Sequence, residues 1–440
     1  FYAWGEPVYV FLMMGVIMFD YLAGMAVENA YVRSAKWIKV CILIVTISVN
    51  VSILIWFKYA TFIFSEIEKF TNISLWHGGG IALPIGISFF TFQALSYVID
   101  VYRGEVKAEK NPLYVGLYVS FFPQLIAGPI VRYITVADQI RNRKENKELF
   151  FEGINRFLLG LIKKVIIANN MAIVADGAFE LIIRGKFEGS IFMAWLGAIS
   201  YALQIYFDFS GYSDMAIGLG KIFGFKFWEN FNYPYIAGSV TEFWRRWHIS
   251  LSSWFRDYVY IPLGGSKRGK GRTVLNLFIV WLLTGIWHGA NWTFLLWGLF
   301  YFAIISLEKL WNIPDKCRGA IGHIYTMLIV TVAWVLFRAE SLGDFFAYLK
   351  GMMGIGSRSL MDSQVLAYLK QNIVYYLMAI LGVAPLFRKM EYKFQNRKNG
   401  SELGNILWNV GYIILILTGT VISISFIMNK GYSPFIYFNF

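Results

Sequence analysis

The chain has 440 residues, of which 57% are hydrophobic and only 15% are charged, whereas a soluble domain carries about a quarter charged residues. The composition therefore excludes an ordinary soluble fold and predicts an all-α polytopic membrane protein, because the charges fall between apolar runs of bilayer-spanning length. The net charge of +13 favours basic cytoplasmic loops over nucleic-acid binding, since no aromatic and basic surface motif accompanies it.

The apolar runs cover the chain without an internal repeat or a linker, so we predict one integral membrane domain over residues 1–440. The chain begins with Phe1 rather than Met, and residues 1–7 resemble the end of a preceding segment. We therefore expect a first hydrophobic helix to be missing from this chain. The candidate spans are residues 8–27, 38–64, 83–100, 166–183, 192–222, 274–290, 292–311, 321–338, 372–387 and 404–428.

Two basic clusters orient the first part of the chain. Basic residues concentrate in cytoplasmic loops, and two crossings separate the clusters, so both are predicted to lie in the cytoplasm. One cluster follows the first span and the other follows the third span. They consist of Arg33, Lys36 and Lys39, and of Arg103, Lys107 and Lys110.

Residues 113–131 are apolar but do not fit an ordinary span. Basic residues flank them on both sides, and Pro123 and the pair Gly128-Pro129 interrupt helical hydrogen bonding. We predict a re-entrant hairpin that enters from the cytoplasm; a kinked ordinary span with a relaxed charge bias is the alternative. Irregular backbone at membrane depth needs shielding by protein or a wet cavity, so the hairpin predicts an enclosed pore or funnel.

Charged residues also accompany the central spans. Residues 152–164 are amphipathic, which predicts an interface-lying helix that turns into a span after Lys164. Asp208 and Asp214 fall inside an apolar run, where they are either proton relays or structural partners of buried arginines. Structural pairing is favoured because an unpaired buried charge is costly.

Residues 225–273 are too polar to cross as a simple helix, yet they are rich in tryptophan and tyrosine, which concentrate at membrane interfaces. We predict short interfacial or re-entrant helices here. Four basic residues at the end of the segment place it on the cytoplasmic side. They are Lys267, Arg268, Lys270 and Arg272.

His248 lies in this segment, within a predicted helix from Thr241 to Trp254. At helical spacing Trp244, His248 and Ser252 share one face. One interpretation is a basic, aromatic interface helix whose arginines bind lipid phosphates. The other is a clamp for an anionic donor, with the histidine directed inward. The arginines concerned are Arg245, Arg246 and Arg256.

His288 lies fifteen residues beyond Thr273, where the next span begins. At a rise of 1.5 Å per residue it is about 22 Å along the helix, past the middle of a hydrocarbon core about 30 Å thick. An ionisable side chain at that depth usually has a function, and imidazole exchanges protons near neutral pH. Gly289 and Asn291 indicate close backbone approach and a polar partner, which favours function over a packing histidine.

Several other kinds of site are not supported by the sequence. The cysteines Cys41 and Cys317 lie far apart and the four histidines are dispersed, so neither a zinc spacing nor a disulfide framework is present. Residues 264–271 match GxxxxGK but lack the closing Ser or Thr and follow no strand. No serine lies in a GxSxG elbow. We therefore predict no metal site and no bound cofactor.

The stretches that contain His248 and His288, with several others along the chain, resemble the membrane-bound O-acyltransferase family. The resemblance is closest to its bacterial polysaccharide branch, typified by the membrane subunit of alginate O-acetyltransferase. The resemblance runs through nearly the whole chain and includes Phe243-Trp-Arg-Arg-Trp-His248 and Gly285-Ile-Trp-His288-Gly-Ala-Asn-Trp292. The stretches at 261–265 and 434–438 favour polysaccharide acetylases over the sister branch that moves D-alanine to teichoic acids. The other matching stretches are residues 2–7, 83–93, 97–103, 122–130, 208–216, 230–235 and 254–260.

The resemblance implies a ring of tilted transmembrane and re-entrant helices around a central funnel. It also implies that His288 is the principal catalytic residue and that His248 is the second family histidine. The donor then reaches the site from the cytoplasm, and the acyl group leaves on the outer side. The residues expected to bind substrate or support the histidines are Trp247, Arg245, Arg246, Ser252, Asn291, Trp287 and Asp257.

The resulting prediction is a multi-pass acyltransferase of the bacterial cytoplasmic membrane. It would pass acetyl groups from a cytoplasmic thioester, expected to be acetyl-CoA, to an extracytoplasmic polysaccharide. The resemblance also implies a periplasmic or extracellular acetyltransferase as a partner, whose serine could be the first acceptor. D-alanyl transfer to teichoic acid is one alternative, and a transporter or flippase of lipid-linked glycan is the other.

Overall fold

The computed structural model describes residues 1–29, 36–73, 80–126, 128–183, 189–313, 319–356, 359–386, 402–430 and 435–436. Within these ranges all regular structure is helical. Arg33 and Cys317, which the sequence singled out, lie outside the described residues. So do residue 127 of the matching stretch 122–130 and residues 434, 437 and 438 of the stretch 434–438.

The first half of the chain alternates long helices with short ones. A π-helical segment, Ile55–Tyr59, joins the third and fourth helices, and a second one, Lys163–Ala168, joins the ninth and tenth. The helices are α1 (Tyr2–Gly5), α2 (Tyr9–Glu28), α3 (Lys36–Leu54), α4 (Ala60–Thr71), α5 (Ile87–Arg103), α6 (Pro112–Ser120), α7 (Phe122–Leu125), α8 (Tyr133–Asn142), α9 (Lys147–Ile162), α10 (Asn169–Ile183) and α11 (Ile191–Ile222).

The second half begins with short elements and continues with long helices. A 3-10 turn at Pro234–Ile236 precedes the first short helix, and a π-helical segment at Arg256–Tyr260 follows the second. The helices are α12 (Val240–Arg246), α13 (Ile249–Phe255), α14 (Lys270–His288), α15 (Trp292–Trp311), α16 (Ala320–Arg338), α17 (Leu342–Met352), α18 (Ser363–Val383) and α19 (Glu402–Lys430).

Among the described residues, eight helical stretches are long and apolar enough to cross a membrane, which confirms the polytopic helical class. The predicted spans at 83–100 and 274–290 form helices α5 and α14, which are not among these eight. The eight stretches are Tyr9–Glu28, Lys36–Thr71, Lys147–Ile183, Ile191–Ile222, Trp292–Trp311, Ala320–Arg338, Ser363–Val383 and Ile406–Asn429.

Helices α9 and α10 continue into one another through the second π-helical segment, so the predicted amphipathic helix leads into a span near Lys164. That its first part lies at the membrane interface stays a prediction. The extra residue of a π-bulge rotates the side chains that follow it. Lys164 donates to Asp208 at 2.5 Å, and Lys163 and Arg156 both bind Asp214 at 2.6 Å. Structural pairing of the two aspartates is therefore confirmed, although the partner of Asp208 is a lysine.

The segment between α5 and α8 is broken rather than continuously helical. Helix α6 ends at Ser120, the single turn α7 follows, and an extended stretch leads to α8. Val115, Val119 and Leu125 are fully buried, so protein covers this irregular backbone, as a membrane environment requires. The broken path favours the re-entrant hairpin over a kinked span; its entry from the cytoplasm stays a prediction.

Residues 225–269 form the predicted short helices, but the single helix from Thr241 to Trp254 is wrong. Helix α12 ends at Arg246, and His248 takes a left-handed backbone conformation with φ 44° before α13 begins. Trp244 and His248 therefore do not share a helix face with Ser252. Left-handed backbone is uncommon for residues with a side chain and terminates a helix.

Candidate active site

His248 is held at the break between α12 and α13 by the preceding loop. The backbone carbonyl of Asn230 accepts from Ile249 N–H at 2.9 Å, and the carbonyl of Arg246 accepts from Asn232 N–H at 2.9 Å. These two bonds fix the backbone on either side of His248. A left-handed residue that its surroundings hold in place is a feature of functional sites. The His248 ring is 1% exposed and packs edge-on against Phe209.

The side chain of Asn230 fixes the tautomer of His248. Asn230 Oδ1 accepts from the backbone N–H of Ser250 at 3.2 Å, which identifies this amide atom as the oxygen. The same oxygen lies 3.1 Å from His248 Nδ1, so Nδ1 carries the proton and donates. Asn230 Nδ2 donates to Ser213. In the neutral ring Nε2 is therefore an acceptor, oriented by its partner on the other nitrogen.

His288 is the last residue of α14, and a close crossing with α15 positions it. The Cα atoms of Gly285 and Gly298 face each other so closely that a Cβ on Gly285 would lie 2.6 Å from the Phe294 carbonyl oxygen. The crossing brings the His288 ring edge-on to Trp297 at 4.8 Å between centroids and to Phe337 at 5.1 Å. His288 is 4% exposed.

Trp287 lies between the two histidines. Its ring centroid is 4.9 Å from that of His288 and 6.2 Å from that of His248. The two imidazoles, forty residues apart in sequence, therefore share one indole neighbour. The indole Nε1 is buried and has no hydrogen-bond partner among the described residues. A buried N–H of this kind is available to a bound substrate.

A small cavity, here called the histidine cavity, lies directly against His288. It encloses about 90 Å³ and is lined by residues 83–89 together with Lys58, Ile126, Trp287 and His288. Most of these side chains are apolar. Its ionisable side chains among the described residues are Lys58 and His288.

A larger cavity, here called the arginine cavity, lies beside a part of helix α14 that precedes Trp287. It has two contiguous compartments of about 430 Å³ and 390 Å³. Arg245 and Arg256 line both compartments, and Lys309 lines the second. The boundary that the compartments share is formed by Thr241, Arg245, Ser252, Arg256, Val280 and Ile305.

The residues of helix α14 that line each cavity show the order of the two cavities along this helix. Leu277 and Val280 line the arginine cavity, Thr284 closes its inner end, and Trp287 and His288 line the histidine cavity. Three residues of helix, about 4.5 Å, separate Thr284 from Trp287. The two cavities therefore follow one another along the part of the helix that ends at His288.

The structure separates the supporting residues that the sequence placed together. Arg245 and Ser252 line the arginine cavity, and Trp287 contacts both histidines. Arg246 instead binds Glu242 at 2.8 Å and donates to the Asn232 carbonyl, away from either cavity lining. The functional roles of these residues stay predictions.

Asn291, Trp247 and Asp257 have clear structural contacts. Asn291 caps helix α15 by accepting from Thr293 N–H at 3.1 Å and does not bond to His288. Trp247 is 2% exposed within a cluster of aromatic rings. Asp257 receives two hydrogen bonds from Arg256, at 2.7 and 3.1 Å. Burial tends to raise the pKa of Asp257, but Arg256 and Arg132 outweigh it, so its pKa lies below the usual range.

Two residues of the site were missed at the level of sequence. Lys58 is a basic residue inside an apolar run, the predicted span 38–64. A charged residue in such a run often has a function, so this position could have been noticed. Asn230 carried no such signal, because an asparagine in a polar loop is ordinary. Its contact with His248 crosses eighteen residues and depends on the tertiary fold.

Comparisons with known proteins agree on one family. Residues 8–312 match the model described as MBOAT, membrane-bound O-acyltransferase family. Every residue that lines either cavity lies inside that range.

Individual relatives extend this likeness. The chain is 40% identical over 463 residues to a probable alginate O-acetylase AlgI of Pseudomonas putida, covering 100% of this chain and 92% of the relative. It is 33% identical over 492 residues to a peptidoglycan O-acetyltransferase of Helicobacter pylori, covering 100% and 89%. A teichoic acid D-alanyltransferase of Bacillus subtilis is 32% identical over 263 residues, covering 56% and 65%.

Proposed function

Because the chain belongs to the membrane-bound O-acyltransferase family, it is a multi-pass membrane acyltransferase, and we propose that it moves acetyl groups from a cytoplasmic thioester to an extracytoplasmic polysaccharide. The observation that carries the proposal is that the rings of His288 and His248 both lie near the ring of Trp287, with one cavity against His288 and a second cavity beside an earlier part of the same helix. A thioester and an acceptor entering from opposite sides would meet there.

The basic residues indicate which side of the membrane each cavity is nearer to. Helix α14 begins at Lys270, next to a cluster of lysines and arginines, and basic clusters favour the cytoplasm. The arginine cavity lies nearer to this end of α14 than the histidine cavity does, so it would receive the donor. The histidine cavity lies at the far end of α14, and it would receive the acceptor. In a bacterium this arrangement corresponds to the cytoplasmic membrane.

The arginine cavity suits a donor with anionic groups. Arg245 and Arg256 line it, and Lys309 extends the positive surface toward its mouth. The nearby Glu308 carboxylate is occupied, because it accepts from the backbone N–H groups of Val240 and Thr241 at 2.7 and 2.8 Å. Guanidinium groups bind phosphate well. Acetyl-CoA, a thioester with phosphates, is the donor that we expect.

In the proposed reaction His288 is the general base. It takes the proton of the acceptor hydroxyl while the hydroxyl oxygen attacks the acyl carbonyl carbon. The carbon–sulfur bond of the tetrahedral intermediate then breaks, and the proton passes from the imidazolium to the leaving thiolate. The products are an O-acyl ester and a free thiol, so atoms and charge balance.

His248 and Trp287 would support this step in different ways. Neutral His248, protonated on Nδ1, can accept a hydrogen bond through Nε2 but cannot donate one from that atom. It would therefore orient the acceptor or a protonated His288, and it could stabilise an oxyanion only as an imidazolium. The Trp287 indole N–H is a neutral donor beside both histidines, suited to the developing oxyanion.

A partner protein is part of the proposal. The first acceptor could be a serine of a periplasmic or extracellular acetyltransferase, which would complete transfer to sugar. D-alanyl transfer remains the second candidate, since a relative is named for it. Binding of a D-alanyl carrier protein by the purified chain, with no turnover of acetyl-CoA, would favour that candidate.

The decisive experiment compares two histidine variants in a strain that depends on this chain for acetylation. We expect His288→Ala to lower acetyl incorporation into the surface polymer by about a thousandfold, because general base catalysis contributes a factor of roughly 10² to 10⁴. His323→Gln is the matched control, since the His323 ring bonds to the Ala237 carbonyl and lines neither cavity among the described residues. Polymer export is measured in the same cells.

Normal acetylation by His288→Ala, with the protein inserted, would contradict the catalytic assignment. Loss of the polymer itself from the surface would instead favour a transporter or flippase. Both readouts come from one culture, so the two outcomes are distinct.

A further inference from the structure

The first turn of helix α5 forms part of the wall of the histidine cavity. Ser88, in this turn, is 8% exposed and lines the cavity together with His288. Neither the hydroxyl nor the backbone N–H of Ser88 bonds to another described residue. The first N–H groups of a helix have no partner within the helix and carry partial positive charge. Ser88 therefore offers two hydrogen-bond donors at the cavity that His288 lines.

Contacts from two other segments hold the backbone that precedes this turn. The Tyr2 hydroxyl donates to the Ile85 carbonyl at 2.9 Å, and the Glu6 carboxylate accepts from the Ile85 N–H at 3.1 Å. Gly86 has a left-handed conformation with φ 74°, and a Cβ there would lie 2.5 Å from the Leu125 carbonyl oxygen. Donors that are fixed in this way need no rearrangement when negative charge develops beside them.

The other polar side chains of the cavity lining leave room for this function. The Lys58 ammonium already donates to the Trp287 carbonyl at 2.5 Å. His288 is the proposed general base, and Trp287 offers one indole N–H. Enzymes usually stabilise an oxyanion with more than one preorganised donor. Because the cavity encloses only about 90 Å³, a small group held in it lies close to both Ser88 and His288.

We propose that Ser88 is a catalytic residue whose hydroxyl and backbone N–H stabilise the oxyanion of acyl transfer, together with the Trp287 indole. The inference rests on the proposed function and holds whether the acceptor hydroxyl belongs to a sugar or to a partner's serine. As the acceptor oxygen bonds to the acyl carbon, the carbonyl π electrons move to the carbonyl oxygen and His288 takes the proton. Ser88 donates to that oxygen until the electron pair returns, the carbon–sulfur bond breaks and the proton passes to the thiolate.

The test measures thiol release from acetyl-CoA by the full purified chain in lipid nanodiscs, with water as the nucleophile, because water attack forms the same oxyanion. We expect Ser88→Ala to lower kcat about a hundredfold with an unchanged KM for acetyl-CoA, since loss of one oxyanion donor costs a factor of roughly 10² to 10³. Ser88→Thr keeps the hydroxyl and should keep most of the rate. In cells, Ser88→Ala should also lower acetylation of the surface polymer.

Thr91→Val is the matched control, because the Thr91 hydroxyl is buried in the same helix, has no partner among the described residues and does not line the cavity. It should leave kcat unchanged. An unchanged kcat in Ser88→Ala, or an equal fall in Ser88→Thr or Thr91→Val, would overturn the proposal. Lost polymer acetylation with normal thiol release would also overturn it, because that result indicates acceptor positioning. An unaltered chain that neither releases thiol nor acetylates polymer would overturn the proposed function, and this inference with it.

Discussion

Arg245 and Arg246 are neighbours in the chain that face different surroundings. Arg245 lines both compartments of the arginine cavity and has no ion-pair partner among the described residues. Arg246 is held by Glu242 in the i,i+4 geometry of a helix. Only the first of them is placed to meet an anionic donor.

We therefore predict that Arg245→Gln raises the KM for acetyl-CoA by about tenfold, the effect of losing one charge-assisted hydrogen bond. Arg246→Gln should act mainly on stability, through the lost pair with Glu242. Steady-state kinetics of the purified chain measures the first effect, and thermal unfolding measures the second. Arg143→Gln, at an exposed ion pair, is the control. Equal KM values for Arg245→Gln and Arg143→Gln would contradict the assignment of the cavity.

At the scale of elements, the pairing of α14 with α15 decides where His288 lies. Gly285 and Gly298 allow the two helices to touch backbone to backbone. Small residues at such crossings are the usual means of close approach between membrane helices. The position of His288 therefore depends on residues that have no chemistry of their own.

A pair of glycine variants on one helix tests this dependence. In Gly285→Ala the new Cβ would lie 2.6 Å from the Phe294 carbonyl oxygen, so the helices must separate. We expect a loss of stability of about 1 to 3 kcal/mol and reduced acetyl transfer, measured by thermal unfolding and by turnover. Gly271→Ala, where nothing lies within 4 Å, should stabilise α14 by about 0.5 to 1 kcal/mol. Similar behaviour of the two variants would argue against the crossing.

At the scale of the whole molecule, the two cavities follow one another along α14, and Trp287 lines the one that contains His288. Under the proposed function, donor and acceptor would react without either one crossing the membrane. The arrangement requires that the two ends of α14 lie toward opposite sides of the membrane. The basic loop before α14 should be cytoplasmic, and the end of α4 at Thr71 should be external.

Cysteine labelling of intact spheroplasts checks that sidedness. In a background with Cys41→Ser and Cys317→Ser, we expect Thr71→Cys to react with a membrane-impermeant maleimide. Ser266→Cys should react only after the membrane is permeabilised. Both positions are exposed, so access to the reagent depends on the side of the membrane. The reverse pattern would exchange the proposed donor and acceptor cavities.

Much of the architecture followed from local patterns. Hydropathy alone predicted the helix Trp292–Trp311 at its observed bounds and Ile191–Ile222 within one residue. The pairing of Asp208 and Asp214 followed from the energy of buried charge. The prediction of a single helix from Thr241 to Trp254 was wrong, because these residues have ordinary helical propensity and give no local signal of a break. Its break comes from contacts of residues 230–232 with the backbone beside His248.

The sequence by itself determined the membrane class, most of the spans and the two histidines, because hydropathy and isolated polar residues are local properties. Only the tertiary structure decided which polar groups meet. It placed both imidazoles near Trp287 and directed the side chain of Arg246 away from that of Arg245. It also brought Lys58 to the histidine cavity, more than two hundred residues away from His288 in sequence. Those pairings arise from helix crossings, π-bulges and a left-handed residue, which bring together side chains that no sequence spacing connects.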